Sequence, residues 1–217
     1  MNIQEYFNNF FKENLTFLEK EIIKLAKASK TPFLNELKAQ FLETIVTIKS
    51  PLRVLEIGTG SGYSTYKILK ALPNDAKLIS IDYNFHRIDY FYENIFKKLP
   101  ENLKDKLNIF PVESFYAIKI FQKIGETFDF IFIDAIKREY IQYFIEVDKI
   151  LNKDGILLFD NISYNMQIIN VEAKRSKNYL KGISLVNEFN KQLVLNKNYK
   201  TSLISIGDGM SLSVKIK

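Results

Sequence analysis

The stretch Arg53-Val-Leu-Glu-Ile-Gly-Thr-Gly-Ser-Gly-Tyr-Ser-Thr65 constrains this chain more than any other. Val54, Leu55 and Ile57 make a short apolar run of the kind that builds a buried parallel strand. The run stops at Gly58, and Gly58, Gly60 and Gly62 then alternate with small hydroxyl residues. Three glycines so close together let a backbone turn sharply and let a ligand approach with no Cβ in the way. After Gly62 the apolar spacing becomes helical through Tyr63, Tyr66, Ile68, Leu69 and Leu72. Strand, glycine turn and helix N-terminus in that order form a nucleotide site at the carboxyl end of a strand.

The chemistry of the turn narrows the ligand. The dinucleotide fingerprint reads G-x-G-x-x-G, whereas these glycines read G-x-G-x-G with Glu56 just before them. An acid there repels a pyrophosphate and suits a cofactor that carries positive charge. S-adenosylmethionine has a sulfonium and an α-ammonium group, and no phosphate. The run Leu55-Glu56-Ile57-Gly58-Thr59-Gly60-Ser61-Gly62-Tyr63-Ser64 resembles the first motif of the Rossmann-like S-adenosylmethionine methyltransferases. That resemblance implies that Glu56, Gly58, Gly60 and Ser64 bind the cofactor.

A chain of 217 residues with 47% hydrophobic content can bury the core of one α/β domain. The expectation is a single domain over residues 1–217, with a helical cover at 1–50 and a Rossmann-like core at 51–217. No apolar run approaches the ~20 residues of a membrane span. The N-terminus lacks the basic-then-apolar order of a signal peptide. No membrane association is expected, and a cytoplasmic location is the default. With no cysteine, thiolate metal sites and cysteine nucleophiles are excluded. Any metal must be held by oxygen or by the single histidine, His86. Lys+Arg of 31 against Asp+Glu of 25 leaves a net charge of +6. Such an excess can attract nucleic acid or reflect lysines solvated all round, and both readings stay open.

Taken in order, apolar residues from Ile3 to Ala28 recur at helical spacing, with room for one break. A second helix is expected from Pro32, with Thr31 as its cap. Lys77–Asp82 reads as a strand ending in an acid roughly 20 residues past the glycine turn, where an acidic side chain binds ribose hydroxyls. Asp82 as a plain cap of the following helix, Asn84–Leu99, is the competing reading. Leu107–Val112 is the third strand, and Glu113-Ser114 opens the helix Phe115–Ile124. By resemblance to the methyltransferases, Glu113 and Ser114 contact the adenine ring, where the family usually has Gly-Asp-Ala. Phe128–Asp134 is the strongest strand signal, and a helix follows it through Ile150. Asn152–Gly155 reads as a turn before the strand Ile156–Phe159, which ends in Asp160-Asn161. A helix over Asn170–Asn196, carrying Lys174-Arg175-Ser176-Lys177, precedes two strands joined by Gly207-Asp208-Gly209. Alternating strands and helices predict a mostly parallel, doubly wound sheet with a C-terminal antiparallel hairpin.

Asp134, Asp160 and Asn161 fall at the ends of two strands. Two carboxylates and an amide suit a hard octahedral cation such as Mg²⁺, although each alone reads equally well as a turn or cap residue. Together with Asp134-Ala135-Ile136-Lys137-x-x-Tyr140 and Ile206-Gly207-Asp208-Gly209, they resemble the cation-dependent O-methyltransferase family, which includes catechol and caffeoyl-coenzyme A O-methyltransferases. The resemblance implies that Asp134, Asp160 and Asn161 hold the metal, that Asp134 also touches the cofactor, and that Lys137 is the base beside the substrate hydroxyl. Many members have a second Asp where this chain has Ile136, and a Trp shortly after the Asn where it has Ile162-Ser163-Tyr164.

Within that family the chain is similar to the bacterial tRNA 5-hydroxyuridine methyltransferases, through its length, its Asp-Ala-x-Lys-x-x-Tyr stretch and its Gly-Asp-Gly hairpin. That similarity implies tRNA as partner and the 5-hydroxyl of a modified uridine as acceptor, with Lys174–Lys177 and Lys181 as phosphate contacts. A catechol-like small molecule is the rival acceptor. A nucleotide-binding protein without methyl transfer is the rival from another class. Related enzymes are often homodimers, so the aromatic N-terminal helix is a candidate contact.

Overall fold

In the computed structural model, residues 2–164 and 176–217 are described. The chain forms two compact units, Met1–Ser114 and Phe115–Lys217.

The first unit opens with three helices, α1 (Ile3–Glu13), α2 (Phe17–Ala28) and α3 (Glu36–Lys49). The break expected in the N-terminal periodicity falls at Thr16, which starts α2 with a capping box. Its hydroxyl accepts from the Glu19 N–H at 3.3 Å while Glu19 Oε2 accepts from the Thr16 N–H at 2.8 Å. Reciprocal caps of this kind satisfy two backbone donors that a helix start leaves orphaned. The start of α3 differs from the Pro32 expected above. Asn35 is the cap, its side chain accepting from the Lys38 N–H at 2.8 Å, so Thr31-Pro32 belongs to the connecting loop.

Next come β1 (Arg53–Ile57), α4 (Tyr63–Ala71), β2 (Lys77–Asp82), α5 (Phe85–Asn94), the single-turn α6 (Glu101–Lys104) and β3 (Leu107–Pro111). The three strands run parallel in the order β3-β2-β1. α5 stops at Asn94, short of the expected Leu99, and a 3-10 turn at Phe96–Lys98 takes over. The N-terminal helices are fastened to α4 by charge. Lys67, buried on α4, reaches Glu19 of α2 at 3.0 Å and pairs with Glu43 of α3. Lys70 reaches the same two carboxylates at 3.5 and 3.3 Å. Burial alone would raise the Glu19 carboxyl, but hydrogen bonds from Thr16 and Lys67 outweigh it and hold it down at about 2.

The second unit holds α7 (Ser114–Ile124), whose first residue closes the first unit, then β4 (Phe128–Ile133), α8 (Tyr140–Asp148), β5 (Leu151–Asp160), α9 (Lys177–Leu195), β6 (Tyr199–Ile204) and β7 (Met210–Lys215). The strand order is β4-β5-β7-β6, with β4 and β5 parallel and the β6–β7 hairpin antiparallel. Phe130 to Ile133 and Leu157 to Phe159 are all fully buried, as strands covered on both faces must be. The turn expected at Asn152–Gly155 lies inside β5. Asp154 takes φ 60°, and the β4–β5 register shifts there, so the strand bulges and continues. Of the basic stretch singled out in the sequence, Lys174 and Arg175 lie outside the described residues.

Candidate active site

In the first unit, the glycine turn hangs from the ends of β1 and β2. Glu56 and Ser80 are register partners in the two strands. The fully buried Glu56 accepts from the hydroxyls of Thr65 and Ser80 through Oε2, both at 2.6 Å. Ser80 also shares a hydrogen bond of 2.7 Å with Thr59. Glu56 therefore braces the turn from behind, tying β1, β2 and the first turn of α4 together. The turn closes with the Gly62 N–H donating to Thr59 O at 2.8 Å. Gly62 caps α4 at φ 80°, and a Cβ there would overlap the ring of Phe91. Only glycine fits both demands.

Asp82 lies at the end of β2, almost wholly buried. Its Oδ2 accepts from the Gly60 N–H at 2.9 Å and its Oδ1 from the Asn84 N–H at 2.8 Å. The cap of α5 is Asn84 itself, which accepts from the Arg87 N–H, so Asp82 is not the helix cap. Each carboxylate oxygen keeps a second lone pair for a ribose hydroxyl. Arg87 stands 3.9 Å from Asp82. Gly58 follows β1 with its N–H on Ile81 O at 2.8 Å, and Ser64 is nearly buried in the first turn of α4. Pro32 O lies beside Gly60, which brings the α2–α3 loop against the turn. Glu113 is exposed after β3 and Ser114 starts α7.

In the second unit, Asp134 follows β4, and Asp160 and Asn161 end β5. Asp134 Oδ1 is the meeting point. It accepts from Lys137 Nζ at 2.7 Å and from Asn161 Nδ2 at 3.4 Å. Lys137 sits in a 3-10 turn at Lys137–Glu139, a spacing that folds it back on Asp134. Asp160 is buried at 2% exposure. Asn161 adopts φ 57°, a left-handed conformation that asparagine tolerates better than most residues. Sequence reasoning quoted Tyr140 without giving it a role. In the structure it is fully buried and its hydroxyl donates to Asp160 O at 2.6 Å. Burial, followed by the charges of Asp134, Asp160 and Asp208, pushes that hydroxyl well above its ordinary range, so it stays a donor.

The donor set fits a hard cation. Two carboxylates and an amide are the right chemistry, and a half-turn of the Asn161 side chain exchanges its NH₂ for an oxygen facing Asp134. Lys137 Nζ contacts Asp134 Oδ1. Among the described residues, no three His, Cys, Asp or Glu side chains come together as a metal cluster, so the amide has to serve as the third donor. His86 is on the first turn of α5 and belongs to no such group.

Comparison with known proteins gives the family. Residues 10–216 match the profile of the family described as O-methyltransferase. Caffeoyl-CoA O-methyltransferase 2 of Populus trichocarpa is 26% identical, over 83% of this chain and 73% of that protein. The O-methyltransferase TomG from Streptomyces achromogenes, solved in complex with SAM, superposes with a TM-score of 0.81 at 19% identity, covering all of both chains. An O-methyltransferase from Bacillus cereus in complex with SAH gives 0.80 at 20% identity, covering 93% of this chain and 91% of that one. The fold is therefore the Rossmann-like methyltransferase fold, with N-terminal helices and a C-terminal antiparallel hairpin. The chain belongs to the O-methyltransferase family of enzymes.

Proposed function

We propose that this enzyme methylates an acidic hydroxyl group at a divalent-cation site made by Asp134, Asp160 and Asn161, with the 5-hydroxyl of a tRNA hydroxyuridine as its preferred acceptor. The observation that carries the cation reading is the convergence of Lys137 and Asn161 on one oxygen of Asp134. A divalent cation, when bound, lowers the pKa of a hydroxyl that it touches. Lys137, its neutral amine favoured by a cation bound beside it, takes up the hydroxyl proton, while Asp134 stays within reach of the ammonium so formed. Tyr140 keeps Asp160 in line through its backbone carbonyl. Gly58, Gly60, Ser64 and Asp82 hold the methyl donor, with Glu56 bracing their turn from behind, Asp82 on the ribose and Glu113 and Ser114 beside the adenine. In-line attack on a methyl sulfonium cancels charge, so positioning and exclusion of water carry most of the acceleration.

Support for a nucleic-acid acceptor is electrostatic. The net charge is +6, and Lys177 and Lys181 are exposed at the start of α9. The residue after Lys181 is Gly182, packed against Tyr164, three positions beyond Asn161. Cations on that edge suit the phosphates around a splayed loop base. The second reading, a catechol-like small molecule, draws on the Tyr164–Tyr179 ring pair, whose centroids are 5.3 Å apart and which could pack a flat ring. For assembly, Tyr6, Phe7 and Phe10 form an exposed aromatic cluster on α1 that supports a homodimer contact.

Labelled S-adenosylmethionine with Mg²⁺, offered in parallel unmethylated bacterial tRNA and a simple catechol, tests the acceptor. Label in tRNA is the expected result. Label in the catechol alone would keep the chemistry and discard the nucleic acid.

A further inference from the structure

The loop that carries Asn161 is held from outside β5. β5 ends at Asp160, whose partner in β7 is Met210, so the turn before β7 lies level with the residues after Asp160. The Ile162 N–H donates to Gly209 O at 3.3 Å, and the Ser163 N–H donates to Asp208 O at 2.9 Å. Gly209 also closes its own turn by donating to Ile206 O at 2.9 Å, and it does so at φ 88°. A Cβ on Gly209 would lie 2.9 Å from Ile162 Cγ1, tighter than side chains tolerate without a shift. From the other side, Asn190 of α9 donates to Ile162 O at 2.9 Å. The loop needs this support because Asn161 and Tyr164 both take left-handed φ, 57° and 51°. Backbone of that kind persists only where its surroundings over-determine it.

We propose that the Gly207-Asp208-Gly209 turn is the positioning element of the cation site, with Gly209 setting the place of Asn161 by its close approach to Ile162. The proposal rests on the cation reading given above. Changes to the groups that hold a metal ligand in place typically lower metal affinity by about 10–100-fold.

Mn²⁺, followed by loss of its free-ion EPR signal on the full chain, is the probe, with S-adenosylhomocysteine binding measured alongside. Gly209→Ala is expected to weaken Mn²⁺ binding about tenfold or more and to leave S-adenosylhomocysteine affinity within about twofold. Adding Ile162→Ala removes the collision while keeping the backbone donors, and should recover the part of the Mn²⁺ affinity lost to the collision, the strain of an alanine at φ 88° remaining. Unchanged Mn²⁺ affinity in Gly209→Ala would overturn the proposal. So would a loss of both affinities that Ile162→Ala fails to repair. A wild-type chain that takes up no Mn²⁺ would remove the cation reading itself, and that shows before any variant is made.

Discussion

Tyr140 donates its buried hydroxyl to the backbone carbonyl of Asp160 across 2.6 Å, joining the start of α8 to the end of β5. Both groups are out of water, so Tyr140→Phe leaves a carbonyl without its donor at a cost of about 1–3 kcal/mol. If the bond also places Asp160, Mn²⁺ affinity falls with it. Denaturant unfolding and cation titration of the same variant check both parts. A loss of stability alone would make Tyr140 a core residue only.

Gly62→Ala is expected to cost about 1–3 kcal/mol. The added methyl meets the buried Phe91 ring, which also packs against Tyr92 and Phe96, and φ 80° disfavours any side chain at this position. The change lies at the cap of α4, so S-adenosylhomocysteine affinity should drop more than cation affinity. Equal drops in both would point to general unfolding.

Asp82→Asn keeps the size of the side chain but removes the charge that the Gly60 and Asn84 N–H groups share. Cofactor affinity should fall by about tenfold, the loss of one charge-assisted bond. Calorimetry with S-adenosylhomocysteine reads this directly. Cofactor binding equal to wild type would leave Asp82 with the turn alone.

Glu19 ties acid stability to the N-terminal helices. Its carboxyl is held at about 2 in the folded chain against an ordinary 4.5. A lowered folded value means stabilisation that is present above 4.5 and lost as pH falls from there toward 2, up to about 3 kcal/mol. Glu19→Gln should be less stable than wild type near neutrality. Its stability should also fall less steeply with acid across that window, as followed by urea unfolding at stepped pH. Parallel pH profiles would show that the Lys67 network contributes nothing there.

Much of the fold was legible because its signals are local. Phe128–Ile133 announces a strand covered on both faces, and the glycines after Ile57 announce the turn whatever the rest of the chain does. The errors came where one local pattern imitated another. Pro32 looks like a helix start, yet Asn35 caps α3 because its side chain reaches the Lys38 N–H. Phe96 and Leu99 continue the apolar spacing of α5, and that spacing serves a 3-10 turn equally well. Asp154 and Gly155 look like a turn and form a bulge, since pairing with β4 resumes beyond them. Glu56 shows a different limit. The sequence marks it as an acid beside a cofactor, but only the folded chain shows its carboxylate behind the turn, on Thr65 and Ser80. The bonds around the end of β5, Tyr140 to Asp160 and Ser163 to Asp208, join residues far apart in sequence. No local pattern encodes them.

Chelation decides whether methyl transfer by this chain depends on a metal. Transfer of labelled methyl from S-adenosylmethionine to an accepted substrate is followed with EDTA, and again after Mg²⁺ is returned in excess. EDTA is expected to abolish transfer, Mg²⁺ to restore it in the wild type, and no added Mg²⁺ to restore it in Asp160→Ala. Transfer that persists in EDTA would contradict metal dependence and leave Asp134, Asp160 and Asn161 as structural residues at two strand ends.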